Sequence, residues 1–171
     1  GKESLDYDSF KNGIQSILDD VNTNHNGVFK ELLEDFIDRI TLFGFYFAVL
    51  DYRQDRSVIE KTLQHVSLET LLEQDINADT LFNNEKAIDI SPSTDDRISD
   101  TLETFKTIKR IQETNGEQGC HRFIISNCQH EMDIASAYFL AKQTAFLGEN
   151  MPIDFIPLFE TIDDLKNAEI I

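Results

Sequence analysis

Three short apolar runs, each closing abruptly on polar residues and each followed by a segment of helical period, constrain this chain more than any other feature of its sequence. Residues 45–50 (FYFAVL) end in Asp51-Tyr52-Arg53-Gln54-Asp55, residues 123–125 end in Ser126-Asn127, and residues 153–159 end in Glu160-Thr161. An unbroken apolar run with no polar alternation reads as a strand buried on both faces of a parallel sheet. The segments that follow, 58–72, 132–147 and 162 onward, carry apolar residues every three to four positions, the period of a helix. Thr161 is a good cap for the last of these, with Asp163 and Asp164 in its first turn.

Strand, helix, strand, helix, strand, helix is the order of an α/β protein with a parallel sheet. Before it, two helices are expected. Phe10, Ile14, Ile17, Leu18 and Val21 form one stripe, the polar NTNHNG interrupts it, and residues 28–40 form a second that Gly44 ends. A further helix carrying Ile98, Leu102, Phe105 and Ile108 leads into the second strand, after the polar stretch INADTLFNNEKAIDISPST. A closed barrel needs eight strand–helix units and roughly 250 residues, so 171 residues with three units make part of one. A doubly wound sheet is the rival, but no glycine-rich turn follows any strand to hold a dinucleotide. The expected fold class is therefore helix-rich α/β, a partial (β/α) TIM-type barrel of about three parallel strands, each followed by helix.

The formal charge of −17 excludes two classes of partner. Such a surface cannot neutralise a run of nucleic-acid phosphates, and it is repelled by anionic membranes. No run approaches the ~20 apolar residues of a membrane span, and no signal peptide is expected. Cys120 and Cys128 are too few for a disulfide framework, which fits a reducing cytoplasm. Zinc is not expected between them. A strand over 123–126 would hold them up to ~26 Å apart at ~3.3 Å per residue, and no turn residues stand between to fold them back.

The chemistry is expected at the carboxyl ends of the strands, where ligands bind in barrels and doubly wound sheets alike. Those ends offer Arg53 with Gln54, Ser126 with Asn127, and Glu160. A guanidinium grips phosphate or carboxylate with two parallel hydrogen bonds. A glutamate is a hard oxygen ligand of the kind magnesium or manganese prefers. Structural roles stand beside these. Arg53, flanked by Asp51 and Asp55, suits an ordinary salt bridge equally well, Glu160 complements the dipole of the helix behind it, and Ser126 and Asn127 are common turn residues.

The three strand ends taken in order resemble the phosphoenolpyruvate carboxylase family. That family has a D-I-R-Q-E-S-like motif, then Y-V-I-S-M, then P-L-F-E-T followed by D-L. This chain reads LDYRQDRS from residue 50, FIISN over 123–127 and PLFETIDDL over 157–165. SDTLETF over 99–105 resembles the approach to the second motif. The resemblance runs from about Leu32 to Ile171.

It implies that Glu160 falls on a carboxylate that binds the divalent metal, Mg2+ or Mn2+. Arg53, with Gln54 beside it, falls at the substrate's phosphate and carboxylate. The implied reaction joins phosphoenolpyruvate and bicarbonate into oxaloacetate and phosphate. The chain also departs from the pattern: Asp55 replaces the family's glutamate, Arg56 intervenes before Ser57, and LFNNEKAIDI stands where the family has R-P-L. The family's T-A-H-P-T-E, G-Y-S-D-S-x-K-D and F-H-G-R-G-G motifs do not occur here.

The whole chain, 1–171, is accordingly expected to be one fragment of a larger catalytic barrel. Residues 1–43 would be a helical lead-in, and 44–171 would hold the three strand–helix units with a helical insertion. Alone it is expected to be inactive. It would need the rest of the same polypeptide, working in the cytoplasm as a homo-oligomer. Two alternatives remain at this stage: an acidic helical interaction module, and a fragment of another barrel enzyme of pyruvate or its phosphate. A module would display its functional residues on a helix face, whereas an enzyme would gather them at strand ends.

Overall fold

A computed structural model of the chain describes residues 6–67 and 76–169, and the part of the first helical pattern over 68–72 lies outside them. The chain divides into two compact units, Gly1–Val49 and Leu50–Ile171. In the first, α1 (Tyr7–Asn24) and α2 (Lys30–Phe43) form the two expected helices. Asp6 caps α1, its Oδ2 accepting from the Ser9 amide at 2.9 Å. Asn26, Gly27 and Phe29 take positive φ and break the helical path between α1 and α2, where the polar segment predicted a break. The Tyr7 hydroxyl donates to the Ile40 carbonyl at 3.1 Å and joins the two helices.

The apolar run over 45–50 is not a strand, and this corrects the sequence expectation. Gly44 ends α2 at φ 53°, where a Cβ would stand 2.5 Å from the Tyr46 ring, and Phe47 turns through the left-handed region at φ 62°. The run is spent on turns and on the helical pair. Phe45 lies edge-on to Tyr7 at 5.5 Å and against Phe10 at 5.7 Å, and Phe43 stacks on Phe47. Much of the run stays exposed, Phe47 at 82%. Apolar character here marks packing against α1 and α2 and not a two-faced strand.

In the second unit, β1 (Asp51–Asp55), β2 (Arg122–Ser126) and β3 (Asp154–Pro157) form a parallel sheet in the order β1-β2-β3. The register aligns Arg53 with Ile124 and Ile124 with Ile156. Each strand leads into a helix: α3 (Arg56–Ser67), α6 (Glu131–Ala141) and α7 (Ile162–Asn167). Between β1 and β2 lie α4 (Ala78–Phe82) and the long α5 (Asp96–Asn115).

The sheet has two unlike faces, because successive side chains alternate sides. Tyr52, Phe123 and Phe155 point into the helical layer. Phe123 is the centre of this core, fully buried, with Phe105 of α5 stacked at 5.0 Å, Tyr52 at 5.2 Å and Phe155 at 5.8 Å. The opposite face carries Asp51, Arg53, Arg122, Ile124, Asp154 and Ile156, all at least partly exposed. The one-sided burial explains how so polar a sequence as DYRQD makes β1: only Tyr52 and Gln54 turn to the helices. A π-helical segment, Lys142–Phe146, ends α6. Its Gln143 amide holds the insertion, accepting from the Ile88 amide at 3.1 Å and donating to the Lys86 carbonyl at 3.0 Å.

Candidate active site at the strand ends

Arg53 and Glu160 meet. They are 107 residues apart in sequence, Arg53 in the middle of β1 and Glu160 three residues past β3, yet Arg53 Nη2 reaches Glu160 Oε1 at 2.5 Å. Side-chain exposures of 55% and 42% leave both groups open to solvent. Among the described residues neither has another hydrogen-bonded partner, so one carboxylate oxygen and most of the guanidinium donors stay available. The salt bridge weighed for Arg53 is present, but its partner is Glu160 and not a flanking aspartate.

The flanking acids have other work. Asp51 lies 2.8 Å from Arg122, its neighbour in register on β2. Asp55 turns the chain into α3: its Oδ1 accepts from the Ser57 amide at 2.8 Å and hydroxyl at 2.5 Å. The Ser57 hydroxyl is the largest cause holding the Asp55 carboxyl below its ordinary value.

Gln54 and the β2 residues are engaged elsewhere. Gln54 is on the helical face, its Nε2 donating to Thr101 Oγ1 at 3.0 Å and its Oε1 accepting from the Asp55 amide at 3.0 Å. It is not brought to the Arg53–Glu160 pair. Ser126 donates from Oγ to the Gln54 carbonyl at 3.2 Å. Asn127 takes the left-handed φ of 55° that a turn needs, and its Oδ1 accepts from Gln129.

Behind Glu160, Thr161 and Asp164 form a reciprocal cap on α7. Asp164 N donates to Thr161 Oγ1 at 3.1 Å, while Asp164 Oδ2 accepts from the amides of Thr161 at 2.9 Å and Glu160 at 3.2 Å. Hydrogen bonding by the Thr161 side chain, then opposed by burial, holds the Asp164 carboxyl below its ordinary value. The sequence reading credited Asp164 only with complementing the helix. The signal that it fixes the Glu160 backbone was the T-x-x-D spacing, since a capping box binds the amide of the cap residue as well.

A hard-cation reading suits the donor type of Glu160 but not the donor number. Magnesium demands near-octahedral oxygen ligation, and no group of three histidine, cysteine or acidic residues among the described ones could hold a metal. Asp163 is paired with Lys166 at 2.9 Å and Asp164 is committed to the cap. The described residues alone therefore do not make up such a site. Cys120 and Cys128 are free thiols at opposite ends of β2.

Cys128 gives a local test of this packing. Burial first, then the Asp133 charge, pushes its thiol from 9.0 up to about 11. Alkylation at pH 8 should be more than about a hundredfold slower in the native chain than in the unfolded one, the factor that two pKa units take from the thiolate. The raised value favours the neutral thiol in the fold. Its contribution to stability is complete below pH 9.0 and is lost as pH rises through about 11. Labelling at the unfolded rate would contradict the buried position.

Comparison with known proteins gives one consistent result. A family model described as phosphoenolpyruvate carboxylase matches residues 3–171. The phosphoenolpyruvate carboxylase of Gloeobacter violaceus is 30% identical over 151 residues, which cover 80% of this chain and 16% of that protein. That of Synechocystis sp. is 28% identical over 151 residues, 80% of this chain and 15% of the relative. That of Prochlorococcus marinus (strain MIT 9515) is 26% identical over 183 residues, 97% of this chain and 18% of the relative. The chain thus spans less than a fifth of the length of these relatives. Among the described residues no helix is long and apolar enough to cross a membrane.

Proposed function

Because the chain belongs to the phosphoenolpyruvate carboxylase family, we propose that it supplies one part of the substrate and metal site of an enzyme that carboxylates phosphoenolpyruvate with bicarbonate, giving oxaloacetate and phosphate. The meeting of Arg53, on the open face of β1, with Glu160, in the loop after β3, carries this reading. A module built to dock a partner through helices has no need of that convergence.

In this reading Arg53 grips the phosphate or carboxylate of the substrate, and preorganised donors of this kind stabilise charge as it develops. Glu160 would offer its free oxygen to magnesium or manganese while the other stays on Arg53. The cation, when bound, supplies electrostatic stabilisation to the negative charge that builds on the substrate. Gln54, engaged with Thr101 and the Asp55 amide, steadies the strand end from which Arg53 projects. The Arg53–Glu160 pair is neutral overall, so further cationic groups and metal ligands must come from the rest of the polypeptide. The 171-residue chain is in this reading one piece of a larger catalytic barrel. Alone it is inactive, and the full polypeptide works as a cytoplasmic homo-oligomer.

Arg53→Lys in the full polypeptide tests this directly. Lysine keeps the charge but loses the fork that binds two oxygens. Carboxylation should fall by about tenfold or more, equivalent to 1.4 kcal/mol, while the unfolding midpoint stays unchanged. Kinetics equal to the unaltered enzyme would remove Arg53 from the site.

A further inference from the structure

A buried hydroxyl marks an uncommon turn at the end of α6. Helical threonines and serines of this chain donate to the carbonyl four residues back: Thr62 to Val58, Thr101 to Arg97 and Thr114 to Arg110 at 2.7 Å, and Ser136 to Met132 at 2.6 Å. Thr144 does not. Its Oγ1 is buried and has no hydrogen-bond partner among the described residues. Thr144 stands inside the π-helical segment Lys142–Phe146, where backbone bonds span five residues and not four. In an α register its hydroxyl would find the Leu140 carbonyl. A buried hydroxyl without a partner costs free energy, and single π turns are rare and recur at functional sites. Contacts from elsewhere must therefore hold this form.

Those contacts come from the segment after α4. Lys142 is buried, and among the described residues Glu85 is the one carboxylate paired with it, at 2.6 Å. The Lys142 ammonium also lies 5.9 Å from the centre of the Tyr138 ring. Gln143 grips the same loop twice, accepting from the Ile88 amide and donating to the Lys86 carbonyl. Phe82, just before the loop, packs on Tyr138 at 5.0 Å. Residues 82–88 thus close on α6 and on the first two residues of the π segment. Its far end is fixed separately, by Lys109 of α5 donating to the Ala145 carbonyl at 3.0 Å.

We propose that this clasp is a conformational device: Glu85, Lys86 and Ile88 hold the end of α6 in the π form, and release of Lys142 and Gln143 returns it to the α register with the Thr144 hydroxyl on the Leu140 carbonyl. The segment stands between α6 and β3, so the clasp acts on the connection that leads toward Glu160. Glu85 is its solvent-facing part, with the side chain 73% exposed. The proposal does not depend on the function proposed above.

Native-state hydrogen exchange of the full polypeptide, read by mass spectrometry over residues 139–150, tests the coupling. Thr144→Val removes the hydroxyl at nearly constant shape. With the clasp intact it should raise protection of this segment by about fivefold, because an unsatisfied buried group is lost. The clasp is then cut by Glu85→Gln with Lys142→Met, which leaves no buried charge unpaired. In that background Thr144→Val removes a hydrogen bond instead, and protection should fall by about fivefold.

The reversal is what identifies the device, since contacts that merely add stability leave the Thr144→Val effect the same in both backgrounds. Effects equal within about twofold, or lost protection with the clasp intact, would overturn the proposal. Should the Glu85→Gln, Lys142→Met variant not fold, Gln143→Ala cuts the clasp on its other side, and the same comparison is read by the same criteria.

Discussion

Replacing Glu160 by glutamine in the full polypeptide is expected to raise the magnesium or manganese concentration needed for half-maximal activity by well over tenfold, or more than about 1.4 kcal/mol of metal affinity. Glutamine preserves the shape and one carbonyl oxygen, so the loss is of charge. A hard divalent cation depends on anionic oxygen ligands, and in the proposed function Glu160 is the one this chain supplies. The same substitution should hardly alter stability. The Arg53–Glu160 pair is exposed on both sides, and such pairs contribute about 0–1 kcal/mol. A metal titration and a denaturation curve on the same variant separate the two effects. An unchanged metal requirement would remove Glu160 from the metal site, and a large drop in stability would reassign it to the fold.

Phe123→Ala should act the other way, on the fold, with a loss of about 3–5 kcal/mol, the usual range for emptying a phenylalanine site in a core. The upper half of that range is expected. Three aromatic neighbours, Phe105, Tyr52 and Phe155, lose their partner at once, and each such pair adds about 0.5–1.5 kcal/mol beyond simple burial. The central strand also has few ways to collapse into the gap, since it is hydrogen-bonded on both edges. Urea unfolding gives the number. A loss below about 1 kcal/mol would mean that the helical layer does not close over β2 as described.

What the sequence revealed follows from the range of the forces involved. The helix break at 25–29, the end of α2 at Gly44 and the cap at Thr161 depend on a few neighbouring residues and were legible. So was the alternation of strand and helix, whereas Arg53, expected just past a strand, stands in the middle of β1, and Glu160 lies three residues beyond β3. The start of β1 was misplaced because an apolar run reports that side chains find cover, not what covers them. Phe45 finds it against Tyr7 and Phe10, far back in the sequence. The Arg53–Glu160 contact depends on which strands flank which, and no local pattern states that order. The divergence of Arg53 and Gln54 was within reach, since adjacent strand residues point to opposite faces. The contact of Arg56 with Asp133 was not, because it joins residues distant in the sequence.

The alternating faces also decide which kinds of change this chain can absorb over time. Losing one residue inside β1 would swing Arg53 into the helical layer and Tyr52 out toward solvent, because strand side chains repeat with a period of two. Substitution along the strands therefore has room wherever size or charge is kept, but insertion and deletion there have none. Length can drift only where no strand parity depends on it, above all in the stretch between α4 and α5. Most of LFNNEKAIDI, the segment set against the family's R-P-L, lies in that stretch, where a change of length leaves the alignment of Arg53 with Ile124 and Ile156 untouched.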